Sequence, residues 1–165
     1  MDEVTAPHDD LDWEASLDRV RSTAGTRGLL LLAVALCRRV WERFPHDDCR
    51  RAVEAVERLA NHPEVNGEDY SVAAEADASL ERLQAGYSRI QDAAPGPRGA
   101  YLAAMACSGM WHDPTGLIGD VAEAAAIAVA EGAEGPAWEE ERRAQAVLFG
   151  EFSGPPSWPA VADGE

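Results

Sequence analysis

From Leu29 to Cys37 the chain reads Leu-Leu-Leu-Leu-Ala-Val-Ala-Leu-Cys, without one polar side chain. On a helix, such a run is apolar on every face for more than two turns, so other helices must cover it on all sides. It falls far short of the roughly 20 residues that cross a bilayer, so it reads as a core helix rather than a membrane span. Directly beyond it, Arg38-Arg39-Val40-Trp41-Glu42-Arg43-Phe44 adds a polar face, while Val40, Trp41 and Phe44 continue the apolar stripe. The pattern predicts a central helix over Leu29–Phe44.

The rest of the chain reads as helices of similar length separated by proline and glycine. Residues 1–10 are acidic, carry Pro7 and are expected to be a disordered lead-in. A first helix is expected over Leu11–Ala24, with Leu11, Ala15, Leu17 and Val20 inward, Trp13 near the edge, and Asp10 or Asp12 as its cap. After the central helix, Pro45-His46-Asp47 introduces a third over Asp48–Asn61, with Asp47 as N-cap and a buried face of Cys49, Ala52, Val53, Val56, Leu59 and Ala60. Arg50, Glu54 and Arg58 are spaced to form ion pairs along its outer face. A fourth helix is expected over Ser71–Ala93, where Ala76, Leu80, Leu83, Tyr87, Ile90 and Ala94 alternate steps of four and three, the seam of an adjacent helix. Pro95-Gly96-Pro97 opens a fifth over Arg98–Met110. Asp113-Pro114, an N-cap followed by proline at the first helical position, opens a sixth over Pro114–Ala133. Gly135-Pro136 opens a seventh anchored by Trp138, Val147, Leu148 and Phe149. The chain from Ser153 onward, with three prolines and two glycines, is expected to be an irregular tail. With no strand signal and no solenoid-length repeat, the reading is all-α: a single compact bundle of about seven helices over residues 11–152, packed around the second.

Charge narrows the partners. Formal net charge is -16, which argues against a nucleic acid or an anionic membrane and for a protein with a basic surface. All 14 basic residues are arginine, a usage expected from the codon bias of a GC-rich genome, the alternative being selection against modifiable amines. The basic residues are also segregated, since residues 19–60 carry nine arginines against five acids. Three cysteines give no disulfide framework, and no charged-then-apolar leader precedes the helices, so a cytoplasmic location is expected.

Two blocks carry a resemblance. Cys37-Arg38-Arg39-Val40-Trp41 followed by Arg50-Arg51-Ala52-Val53-Glu54, together with Ala144-Gln145-Ala146-Val147-Leu148-Phe149-Gly150, resembles an uncharacterised family of alanine-rich all-helical bacterial domains. Members show a Cys-Arg-Arg-hydrophobic-Trp run, an Arg-Arg-Ala-Val-Glu helix and a later Ala-Gln-hydrophobic-Leu-Phe-Gly step. The resemblance covers about a third of the chain. It implies an all-helical fold and carries no activity with it.

Candidate sites follow from residue chemistry. Arg38, Arg39, Arg43, Arg50 and Arg51 fall close together along the chain and could grip a carboxylate or a phosphate. The competing reading is that they pair with the protein's own acids, such as those of the first helix. Trp158, within Pro155-Pro156-Ser157-Trp158-Pro159, has the form of an extended segment that docks into a groove. His112-Asp113 is similar to the His-Asp step of all-α metal phosphohydrolases, with His62 as a further metal ligand. That reading lacks a late aspartate in the last helix, and capping already accounts for Asp113. His46 and Cys49 have a ligand-like spacing, but a zinc site would need two more partners, for which His62 and Cys107 are the loose candidates. Neither a phosphate loop nor a nucleophile elbow is present. The sequence thus points to a non-enzymatic interaction module without a cofactor, an adaptor or a neutralising (immunity-type) partner. The alternative is a metal-dependent phosphohydrolase of the His-Asp type.

Overall fold

The computed structural model describes residues 8–62, 71–132 and 135–153. Within them the chain forms seven α-helices and no strand: α1 His8–Thr23, α2 Gly25–Arg38, α3 Asp47–Asn61, α4 Ser71–Gly86, α5 Pro95–Ser108, α6 Pro114–Ala130 and α7 Pro136–Ser153. The all-α bundle expected from the sequence is therefore the fold. Part of the lead-in and nearly all of the tail, Trp158 included, lie outside the described residues.

α2 occupies the middle. Of the run Leu29–Cys37, all but Leu31 and Ala35 are buried. α1, α3, α5, α6 and α7 all touch α2, while α4 packs on α3 and α5 instead. The helix is shorter than expected, ending at Arg38. Val40, Trp41 and Phe44 still pack inward, but through a tightened turn, with the Val40 amide donating to Cys37 and a 3-10 segment at Trp41–Arg43. Proline at position 45 accounts for the exit. It forces the preceding residue out of helical conformation, and Phe44 has ψ 126°.

α4 also stops early, at Gly86, followed by a 3-10 turn at Tyr87–Arg89. Here the Tyr101 hydroxyl of α5 donates to the Leu83 carbonyl, and a side chain at position 86 would collide with that hydroxyl. Ala76, Leu83 and Ile90 of the expected seam are buried, but Ala94, past the helix, is exposed.

Other end signals resolve case by case. Asp113 caps α6, its Oδ1 accepting from the Gly116 amide at 3.2 Å. Asp47 does not cap α3; it is the first helical residue, with His46 at the cap position making no side-chain hydrogen bond. Asp10 and Asp12 lie inside α1, which begins at His8. α6 closes on Glu131 in the left-handed region (φ 55°), with the Gly132 amide (φ 84°) reaching back to the Ile127 carbonyl at 3.0 Å.

α5 and α6 lie against each other more closely than any ordinary side chain allows. A methyl group at Gly99 would come within 2.8 Å of the Ala128 backbone nitrogen and 3.0 Å of the Ala124 carbonyl oxygen. The alanine-rich faces of the two helices make that approach feasible, since small residues let backbones close in.

Across the bundle, α1 packs mainly on α7. Trp13, expected at an edge, is buried; its ring meets Phe149 with centroids 5.8 Å apart. Ala15, expected inward, is exposed, because Trp13, Leu17 and Val20 already fill the stripe facing α7 and α2. Val147, expected as an anchor of α7, is 62% exposed; Glu141, Gln145 and Phe149 form the buried face instead.

Candidate functional site

The arginine cluster is the strongest sequence candidate, and in the fold its members remain partly to largely exposed while each sits against a carboxylate of the chain. Arg38 pairs with Glu57 of α3 at 2.6 Å and lies over the Trp41 ring, 4.5 Å from its centroid. Arg50 also reaches that ring, at 5.9 Å, donates to the Trp41 carbonyl at 3.2 Å and pairs with Asp47 at 3.1 Å. Arg51 pairs with Asp48 at 3.2 Å, and Arg43 approaches Glu131 at 4.0 Å. The carboxylates come from α3, α7 and the end of α6, not from α1 as the sequence suggested. Glu54 does not join Arg50 and Arg58 in a ladder; Arg58 instead binds Glu75 of α4 through two nitrogens, at 2.8 and 3.2 Å.

Arg39 enters the most deeply placed polar network. Its Nε and Nη2 each lie 2.8 Å from an oxygen of Glu141, a carboxylate 3% exposed. This hydrogen-bonded pairing pushes the Arg39 guanidinium further above its ordinary range, against the opposing effect of burial. Gln145, one turn on, donates to Glu141 at 3.3 Å and to the Ala122 carbonyl at 2.9 Å, and accepts from the Trp13 indole at 2.9 Å. Arg142 covers the outer face of Trp13 at 4.0 Å. The network ties α1, α2, α6 and α7 together and leaves no buried side-chain nitrogen or oxygen of the described residues without a partner. Sequence reasoning missed it because Glu141 and Gln145 sit in a run that reads as a solvated helix start.

The His-Asp elements separate. His112 Nε2 lies 2.7 Å from Asp77 of α4, both side chains about half exposed, and Asp113 is occupied as the α6 cap. His62 is the C-cap residue of α3. Among the described residues, no three histidine, cysteine, aspartate or glutamate side chains gather as a metal site would require.

The cysteines are all buried, on α2, α3 and α5. The neighbouring Cys107 thiol, then burial, hold Cys37 well above the usual thiol range, and burial pushes Cys49 up to about 12. Thiols kept neutral in this way are poor nucleophiles and poor metal ligands, and Cys37 and Cys49 pack in the core as small apolar side chains. Among the described residues, no helix is long and apolar enough to cross a membrane.

Besides a cleft of about 240 Å³ between α1 and α6, lined by Leu17, Asp18, Arg21, Asp120 and Glu123 among others, two concavities stand out that the sequence did not reveal. A polar one of about 180 Å³ lies where the N-terminus of α3 meets α4 and α5, lined by His46, Asp47, Asp48, Arg82, Arg89 and Tyr101. Its two aspartates are already paired within α3, Asp47 with Arg50 and Asp48 with Arg51, while Arg82 donates to Ser79. The other, about 490 Å³, is an apolar groove between α4, α5 and α6 with Asp120 and Glu123 among its lining.

No protein-family model, no curated protein and no solved structure matches this chain. Of the resemblance drawn from the Cys-Arg-Arg and Arg-Arg-Ala-Val-Glu blocks, the all-helical fold is what stands.

Proposed function

We propose that the chain is a non-enzymatic interaction module that binds a protein with a basic surface, as an adaptor or neutralising partner. One observation carries this reading: Arg38, Arg39, Arg43, Arg50 and Arg51, the concentrated positive charge of an otherwise acidic sequence, each sit against a carboxylate of the chain itself. With these arginines paired internally, the chain still carries a formal net charge of -16. A surface of that sign attracts basic partners over a distance comparable to the screening length and raises the rate of encounter.

The test is recovery of partners by tagged full-length chain at low and high ionic strength, with the captured proteins identified. A basic protein that binds directly once purified, and is released by salt, supports the reading. Salt-insensitive capture of an acidic protein overturns it. So does stoichiometric transition metal in the purified chain that a His112→Ala variant loses, which would revive the phosphohydrolase alternative.

A further inference from the structure

Resting on that reading, we infer that the groove between α4, α5 and α6 is the docking face, and that its occupant is a basic amphipathic helix of the partner protein. The lining has the arrangement that a further helix requires. On α5 and at its C-cap, Leu102, Met105, Ala106 and Gly109 follow steps of three, one and three, the stripe that faces a neighbouring helix. On α6, Leu117, Asp120, Ala124 and Ile127 follow steps of three, four and three. Leu80 and Gln84 of α4, one turn apart, form the remaining wall. Two helices lying side by side, each with a seam turned the same way, make the cradle into which a third helix sets its side chains. No described helix of the chain fills it, and Leu80, Leu102, Met105, Leu117 and Ile127 are left only partly buried.

Length and charge specify the occupant. From Leu117 to Ile127 the α6 stripe extends about 15 Å at the helical rise, room for roughly three turns of a partner helix. The charged side chains on the lining are Asp120 and Glu123, with no arginine among them. Neither carboxylate is taken up by an ion pair or hydrogen bond among the described residues. A helix with apolar residues at i, i+3 or i+4 and i+7, flanked by lysine or arginine, would fill the floor and meet both acids. An acidic helix would be repelled by them and by the charge of the whole molecule.

The experiment selects binders to the full-length chain from a displayed library of helical peptides. It then measures affinities for the enriched peptide and for a scrambled peptide of the same composition. The expected winner is basic with one apolar stripe, and scrambling abolishes its binding. Met105→Gln should weaken it about tenfold or more, as loss of a central anchor does. Asp120→Asn with Glu123→Gln should weaken it several-fold and flatten its dependence on salt. Val147→Gln, at an exposed position on α7, should leave it unchanged. Equal binding of the scrambled peptide, indifference to Met105→Gln, or failure of the library to yield a striped basic binder overturns the groove assignment. Self-association of the chain that Met105→Gln abolishes does so too, since the occupant would then be a second copy. In each of these cases, salt-sensitive binding of a basic protein would still uphold the general function, so the two readings fail separately.

Discussion

Arg39 of α2 and Glu141 of α7, 102 residues apart in sequence, meet through two parallel hydrogen bonds of 2.8 Å each, and only the arginine keeps appreciable contact with water. The pair is thus asymmetric, with a buried anion held by a partly exposed cation. Removing the cation leaves a charge that the interior cannot solvate. Arg39→Ala should therefore destabilise the fold by about 2–3 kcal/mol, while Glu141→Gln, which keeps a hydrogen-bonding group in place, should cost about 1 kcal/mol. Urea unfolding of the two variants checks the order; equal costs would mean that the charge on Glu141 is solvated after all.

Two glycine-to-alanine substitutions should have opposite signs. At Gly99 an added methyl meets the α6 backbone at 2.8 Å, and backbone cannot swing aside as a side chain can. Gly99→Ala should cost about 1–3 kcal/mol. At Gly150, inside α7, nothing lies within 4 Å, so alanine only removes conformational freedom from the unfolded chain. Gly150→Ala should stabilise by about 0.5–1 kcal/mol. Thermal melts of both proteins distinguish a tightly apposed α5–α6 pair from a loose one.

Stability should decline in alkali for an identifiable reason. The Cys49 thiol has its folded value raised to about 12 from 9.0 in the unfolded chain, and Cys37 is raised as well. Between pH 9 and 12 the unfolded state therefore binds fewer protons than the folded one. The stabilisation is complete below pH 9 and is lost as pH climbs toward the folded value. The slope should approach about 1.4 kcal/mol per pH unit for each thiol. Denaturant titrations across this window should show the decline, and Cys49→Ala should flatten it. An unchanged slope would mean that Cys49 ionises freely in the native state.

Asp113 and His112 are neighbours with unequal structural roles. Asp113→Ala removes the cap of α6 and should cost about 1 kcal/mol. His112→Ala breaks a half-exposed pair with Asp77 and should cost less than about 1 kcal/mol. Circular-dichroism melts of the two variants, with metal content measured alongside, check both values. A large loss of stability in His112→Ala accompanied by loss of bound metal would contradict the roles assigned here.

The sequence revealed the parts of this fold that depend on local pattern. The unbroken apolar run at Leu29–Cys37 marked the buried helix because no exposed helix can carry it. Proline with aspartate at 113 and 114 marked a helix start through chemistry confined to four residues. The failures arise where distant residues decide. α4 stops where Tyr101, from another helix, takes the Leu83 carbonyl. Val147 has the composition of a core residue and none of the burial, because Glu141, Gln145 and Phe149 set which face of α7 turns inward. The groove is not legible for the same reason, since each of its walls looks like an ordinary core stripe until the bundle shows that no described helix lies across it.

The indole of Trp13 bonds to Gln145 across 132 residues, and this has a bearing on how the molecule is made. During synthesis, the first helix emerges from the ribosome long before the last, and until α7 follows, the face carrying Trp13 lacks its main cover. Completion of the bundle must then await nearly the whole chain, as happens when closure depends on ends far apart in sequence. A nascent chain arrested before α7 would carry its first helix as a loose, sticky appendage. A ribosome-bound chaperone would meet it there, on a surface that the finished protein never displays.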